Sequence, residues 1–265
     1  MKTANSPIGI FDSGIGGTSI WKEVVTLLPN ENTIYLSDSK NAPYGEKSKE
    51  DIISLSIKNT EFLIKKGCKI IVVACNTATT NAIKTLRQSY NIPFIGIEPA
   101  IKPASLQSKT NVIGILATKG TLASELFEKT SSTLKDKTII KEVVGTGLVE
   151  LIEAGKIESE ETTVLLKKYI NPLLKENIDG LVLGCTHYPY LIPKIREIVG
   201  NDIQIIDSGE AVARQTKAIL NHFNLLNNQT DFGKHQFYTN KNKTVLNQLL
   251  LNSTINNLKI DELEF

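Results

Sequence analysis

The run KIIVVACNTATT, residues 69–80, decides how the rest of the chain is read. Five apolar residues, Ile70 to Ala74, lead directly into Cys75, Asn76 and Thr77. A continuous apolar run of this length marks a strand buried on both faces, as in a parallel sheet. Residues 77–90 read as the helix that follows. The stretch is therefore a strand-to-helix unit. It carries a thiol, an amide and a hydroxyl at the carboxyl end of its strand, where open α/β sheets receive ligands.

The same alternation continues outward in both directions. PIGIF (7–11), TIYLS (33–37), PFIGI (93–97), NVIGIL (111–116), TIIKEVV (138–144), GLVLG (180–184) and IQIID (203–207) read as further strands. Helical patterns fall at 17–28, 48–66, 121–134, 160–176, 188–199 and 209–223. Residues 48–66 open on Ser48 with acids in the first turn and close before Gly67, which are helix start and stop signals. Repeated β-α alternation predicts an α/β fold with right-handed crossovers. Asn- and Lys-rich runs near 224–231 and 240–243 read as loops.

The chain also carries an internal repeat. PIGIFDSGIGG (7–17) resembles NVIGILATKGT (111–121), and IIVVACNT (70–77) resembles GLVLGCTH (180–187). Each half presents a first strand ending in a hydroxyl- and glycine-bearing turn, then a later strand ending in Cys. The expected architecture is two facing α/β lobes with mainly parallel sheets, related by a pseudo-twofold. The expected boundaries are 1–98 plus 209–265 for the first lobe and 99–208 for the second, with the active site between them.

Composition narrows the function classes. With 265 residues, 41% hydrophobic and 22% charged, the chain can bury a sizeable core. A net charge of +2 is small and argues neither for nucleic acid nor for an anionic membrane surface, and neither is an expected partner. No apolar run reaches the roughly 18 residues needed to span a bilayer. The opening MKTANSP lacks the apolar core of an export signal. A cytoplasmic location is the expectation. Three cysteines, Cys68, Cys75 and Cys185, are an odd set for a disulfide framework, so the thiols are expected reduced. They form no C-x-x-C pair and show no zinc-finger spacing.

Cys75 and Cys185 carry the chemistry expected here. A thiol just before a helix feels the positive end of the helix dipole, which lowers its pKa. Two thiols facing one small ligand across a cleft can act as base on one side and acid on the other, which inverts a stereocentre. The plainer reading of a free cysteine is a small buried hydrophobe, and Cys68, following Gly67 at a turn, is read that way. His187 reads either as a satisfied core histidine or as a partner that tunes Cys185. Direct pairing of the two is disfavoured, because residues two apart on a turn rarely aim at each other. Asp12 reads as a cap for the following helix or as a group that orients Cys75. Glu153, in LVELIEAG, reads from pattern alone as an ordinary helix carboxylate.

The GIGG turn (14–17), with Asp38 ending the next strand, mimics a dinucleotide fingerprint. The third glycine of that pattern is replaced by Ser19, and Asp12 would repel a pyrophosphate. A milder reading is a turn whose N–H groups receive a small carboxylate.

Together, FDSGIGG, NAPYG, ACNTAT and GCTHYP resemble, in order, the motifs of the glutamate racemase family of bacterial cell-wall biosynthesis, over about residues 7–213. The resemblance implies a cofactor-independent isomerase that interconverts L- and D-glutamate and supplies D-glutamate for peptidoglycan. It implies Cys75 and Cys185 as the acid–base pair, with Asp12 assisting near Cys75, and His187 and Glu153 near Cys185. It carries substrate contacts onto Asp12, Ser13, Tyr44, Gly45, Asn76, Thr77, Thr118, Thr121, Thr186 and His187. It implies no metal and no cofactor, and leaves a homodimer open. The competing readings are an NAD(P)-dependent oxidoreductase, resting on the glycine turn and Asp38, and a bilobal small-molecule binding protein.

Overall fold

The computed structural model describes residues 2–251, 255 and 257–265. Its strands are β1 (Ile8–Asp12), β2 (Thr33–Ser37), β3 (Ile70–Val73), β4 (Phe94–Gly96), β5 (Val112–Ala117), β6 (Ile139–Val144), β7 (Gly180–Gly184), β8 (Gln204–Ile206), β9 (His235–Thr239) and β10 (Leu258–Glu262). They form two sheets. One has the order β10-β9-β2-β1-β3-β4 and the other β6-β5-β7-β8. Every pairing is parallel.

The repeat in the sequence is matched by a repeat in topology. The order β2-β1-β3-β4 has the same form as β6-β5-β7-β8, with β1 equivalent to β5 and β3 equivalent to β7. Cys75 and Cys185 thus follow equivalent strands. The central strands β1, β3 and β7 are buried along their whole length, which accounts for their unbroken apolar sequences. Edge strand β6 is largely exposed and correspondingly mixed in sequence.

The helices are α1 (Thr18–Leu27), α2 (Lys49–Lys65), α3 (Asn76–Ser89), α4 (Ile101–Gln107), α5 (Lys119–Leu122), α6 (Glu125–Ser132), α7 (Leu148–Glu153), α8 (Glu160–Leu174), α9 (Ile192–Val199), α10 (Gly209–His222) and α11 (Thr244–Leu251). Helix α2 is capped by Ser48, whose hydroxyl accepts the Asp51 N–H at 3.1 Å, a contact worth about 1 kcal/mol. The helix expected over 121–134 is broken in two. Ser124 stops α5 and caps α6, accepting the Phe127 N–H at 3.3 Å. The helix expected over 188–199 begins as a 3-10 turn, Tyr188–Leu191, and becomes α-helical only at Ile192. Pro189 and Pro193 sit where an N–H would have no intrahelical partner, so each opens a new helical start.

Two strands were not expected. HQFYT alternates in burial and LKIDE is mostly polar, so neither has the apolar run of the other strands. Both add to the first sheet through β2, and α10 packs along α1. One large buried cluster includes Ile10 and Trp21 beside the first sheet and Leu183 and Leu191 beside the second, so the apolar core runs continuously between the lobes.

Candidate active site

The carboxyl ends of β1, β3, β5 and β7 converge on one cleft. Asp12 ends β1, Cys75 follows β3, Thr118 follows β5 and Cys185 follows β7. This placement comes from parallel strands delivering their carboxyl ends to the same side of a sheet.

Cys75 is the N-cap of α3, and its Sγ receives the Ala78 N–H at 3.4 Å. Its S–H donates toward Ser13 Oγ at 3.7 Å. The expectation that the helix terminus would lower this thiol's pKa is corrected by the structure. Burial, followed by the charge of Asp12, pushes it well above the ordinary range, outweighing the Ala78 and Ser13 contacts. The charge of Cys185 adds to the rise, so the two sulfurs lie within electrostatic reach of each other. Cys75 is 4% exposed and Cys185 7%.

The turn after β7 does aim His187 at Cys185. Nδ1 lies 3.7 Å from Sγ, and Nε2 lies 2.7 Å from Glu153 Oε1. Burial opposes charge on His187, but its contacts with Cys185 and Glu153 outweigh that and raise its pKa well above the usual histidine value. Burial likewise opposes charge on Glu153, yet His187, the Ile15 N–H and Ser39 hold it below the usual carboxylate range. The carboxylate is therefore ionised, and Nε2–H donates to it. The sequence left two nearby acids on α7; the structure brings Glu153 to the histidine, while Glu150 lines a groove with Pro43, Val149 and Glu153 itself.

The glycine turn packs on the second lobe. Two of its N–H groups are used by the protein itself: Gly14 donates to Asp12 Oδ2 at 3.0 Å and Ile15 donates to Glu153 Oε1 at 2.7 Å, while the Gly16 nitrogen lies 3.2 Å from His187 Nε2. A Cβ at residue 14 would lie 1.9 Å from Glu153 Oε1, and one at residue 16 would lie 2.2 Å from His187 Nδ1. The glycines permit close approach of the lobes. With the Gly14 and Ile15 N–H groups taken by Asp12 and Glu153, the turn does not cradle a pyrophosphate, which goes against the dinucleotide reading. The carboxylate it receives is that of Glu153.

Hydroxyls and amides line the rest. Thr77, Thr118 and Thr121 form a triangle, with Oγ1 separations of 2.8 Å (77–118), 2.9 Å (118–121) and 3.3 Å (77–121). Thr186 donates to Asp12 Oδ1 at 3.1 Å. Asn76 is 2% exposed, yet neither its Oδ1 nor its Nδ2 has a partner. An amide buried this deeply without partners carries a desolvation cost that a ligand can remove. Tyr44 is buried, and its hydroxyl is engaged by Asp38 and by Asn59 Nδ2. Its phenol is thus a structural anchor. Gly45 lies tight against Thr118 across the cleft.

Sequence reasoning assigned no partner to Ser39, which follows Asp38 at a strand end, and missed the Ile15 amide and the Ser19 and Tyr190 contacts. Ser19 donates to the Thr186 carbonyl at 2.8 Å, and Tyr190 meets Thr18. None carries a local signal, because each contact spans more than a hundred residues.

Two facing α/β lobes, each placing a thiol at an equivalent strand end beside acids and hydroxyls, define the class of amino-acid racemases. The chain matches the family model described as Asp/Glu/hydantoin racemase over residues 8–216 and belongs to that family. It is 46% identical over 235 residues to a glutamate racemase of Herpetosiphon aurantiacus, covering 89% of this chain and 92% of the relative. It superposes on a glutamate racemase isoform from Bacillus anthracis with a TM-score of 0.88 at 32% identity, over 99% of this chain and 98% of that one. It also resembles the Francisella tularensis glutamate racemase in complex with D-glutamate, with a TM-score of 0.83, 30% identity, and coverage of 97% and 98%.

Proposed function

We propose that this protein is a glutamate racemase working without a bound cofactor, and that Cys75 and Cys185 exchange the α-proton. The observation that carries the proposal is the pair of thiols at equivalent strand ends, within electrostatic reach of each other. Relatives of high coverage, and a solved neighbour holding D-glutamate, support glutamate as substrate.

In the proposed cycle one cysteine, as thiolate, removes the α-proton and becomes a thiol. The other, as thiol, gives its proton to the opposite face of the same carbon and becomes a thiolate. Charge is conserved and the stereocentre inverts. The α-proton is weakly acidic, so the site must stabilise the developing carbanion with preorganised donors and exclude water. Asn76, with the hydroxyls of Ser13, Thr77, Thr118, Thr121 and Thr186, is the donor set we assign to the substrate carboxylates. Each turnover leaves the two sulfurs with exchanged protonation states; to restore them, the sulfur that took the α-proton gives one up and the other takes one back, through His187, backed by Glu153, at Cys185 and through Asp12 at Cys75. Burial of both sulfurs supports entry of substrate by parting of the lobes.

The lobe boundaries 1–98 with 209–265, and 99–208, belong to this reading. So do a cytoplasmic location and the supply of D-glutamate for peptidoglycan. A homodimer is the oligomeric state carried over from the family, and light scattering tests it.

The experiment is circular dichroism of L-glutamate and D-glutamate separately, each with purified protein and a thiol reductant. Both signals are expected to decay to the same racemic endpoint. A persistent signal with either enantiomer would overturn the proposal.

A further inference from the structure

Ser39 lies at the end of the first sheet, immediately after Asp38, and is 4% exposed. Its Oγ lies 2.8 Å from Glu153 Oε2 and 3.0 Å from Ser37 Oγ. The chemistry of the partners sets the direction of both bonds. An ionised carboxylate only accepts, so Ser39 must give its single proton to Glu153, and Ser37 must donate to Ser39.

Glu153 therefore collects three donors. His187 Nε2–H and the Ile15 N–H converge on Oε1, and the Ser39 hydroxyl holds Oε2. Ile15 and Ser39 follow strands of the first sheet, whereas Glu153, His187 and Cys185 all belong with the second. Two of the three donors thus cross the cleft. When the lobes separate, Glu153 loses both, and His187 loses a fixed carboxylate behind its ring. Hydrogen bonds to a charged group are among the stronger ones, and they set both orientation and charge.

We propose that Ser39 is a positioning residue for the Cys185 side of the reaction: across the closed cleft it fixes Glu153, which orients the His187 ring facing Cys185. This rests on the racemase reading above. Closure of the lobes then does more than exclude water. It completes the Ser39–Glu153–His187–Cys185 chain, so proton transfer at Cys185 is ready only in the closed molecule.

The test is steady-state racemisation in both directions by wild type, Ser39→Ala, Ser39→Thr, Ser39→Cys, Glu153→Gln and the Ser39→Ala/Glu153→Gln double variant, with thermal unfolding of each. Ser39→Ala is expected to lower kcat about tenfold while KM stays within about twofold, because a charged-group hydrogen bond is removed away from the substrate carboxylates. Ser39→Thr, which keeps the donor, is expected to restore kcat to within about threefold. In the Glu153→Gln background the alanine change is expected to add less than about twofold, since residues acting through one another are not additive. Ser39→Cys, nearly isosteric but a poor donor, carries the same expectation as alanine if the alanine variant does not fold. Wild-type kcat in a folded Ser39→Ala or Ser39→Cys variant, or full additivity with Glu153→Gln, would overturn the proposal. Absence of racemisation by wild type would instead overturn the function on which it rests.

Discussion

The Gly16 amide lies 3.2 Å from Nε2 of His187, and a Cβ on residue 16 would lie 2.2 Å from Nδ1 of the same ring. His187 is 1% exposed and held by Glu153, so the ring has nowhere to swing. Gly16→Ala is therefore expected to hold the lobes apart at the Cys185 side. Overpacking of this kind costs about 1–3 kcal/mol when the structure can relax, and here it relaxes by opening. The variant is expected to remain folded in thermal unfolding but to lose at least about a hundredfold in kcat, because a misplacement of about an ångström costs that much in a preorganised site. A folded Gly16→Ala variant with wild-type kcat would show that the close approach is unnecessary for catalysis.

The three cysteines are expected to separate cleanly. Cys75→Ser and Cys185→Ser should each nearly abolish racemisation in both directions, since either direction uses both sulfurs. In deuterium oxide each single variant is expected to keep, at most, slow exchange of the α-proton of one enantiomer. Proton NMR of L- and D-glutamate measures this and assigns each thiol to a face. Cys68 is fully buried, packed against Gly9 and Leu63, and burial pushes its thiol up to about 12. Cys68→Ala is expected to lower the melting temperature and leave kcat unchanged.

Asn76 distinguishes a ligand contact from a structural amide. With both ends of its amide buried and unpartnered, replacing it by leucine removes a desolvation cost from the free protein. Asn76→Leu is expected to melt at or above the wild-type temperature while KM for glutamate rises about tenfold or more, the loss of one to two hydrogen bonds to a charged ligand. A lowered melting temperature with unchanged KM would mean that the amide serves the fold.

Asp12 gives a pH signature with a defined sign. Burial, partly offset by the charge of His187 and the Gly17 and Gly14 N–H groups, lifts its pKa from 3.8 to about 6. The folded protein thus binds this proton more tightly than the unfolded chain. The associated stability is fully present below pH 3.8 and is lost as pH rises through about 6. Asp12→Asn removes that loss. Relative to wild type, the variant is expected to gain about 3 kcal/mol between pH 3.5 and pH 7, a shift of roughly two pKa units. Urea denaturation at the two pH values measures it. A difference independent of pH would show that Asp12 ionises normally in the fold.

Much of the architecture was legible because it is written locally. A run such as Ile70–Ala74 states its own burial on both faces, and Cys75 and Cys185 each state their place after such a run. The internal repeat made the second thiol the counterpart of the first, and the matching strand orders of the two sheets agree with it. Elements without a continuous apolar run were less legible. β9 and β10 pair through alternating or polar strands, and the break at Ser124 depends on one side-chain cap.

By itself the sequence determined that β and α segments alternate, that two thiols end equivalent strands, and that the motifs between them belong to one family. Only the tertiary structure decided that the glycine turn docks on Glu153 and His187, that Glu153 and not Glu150 serves the histidine, and that Ser39 reaches across the cleft. The reason is range. Hydrophobic periodicity and capping act over a few residues along the chain. The contacts that finish the site join residues 34 to 171 positions apart, and no local preference encodes a partner at that distance.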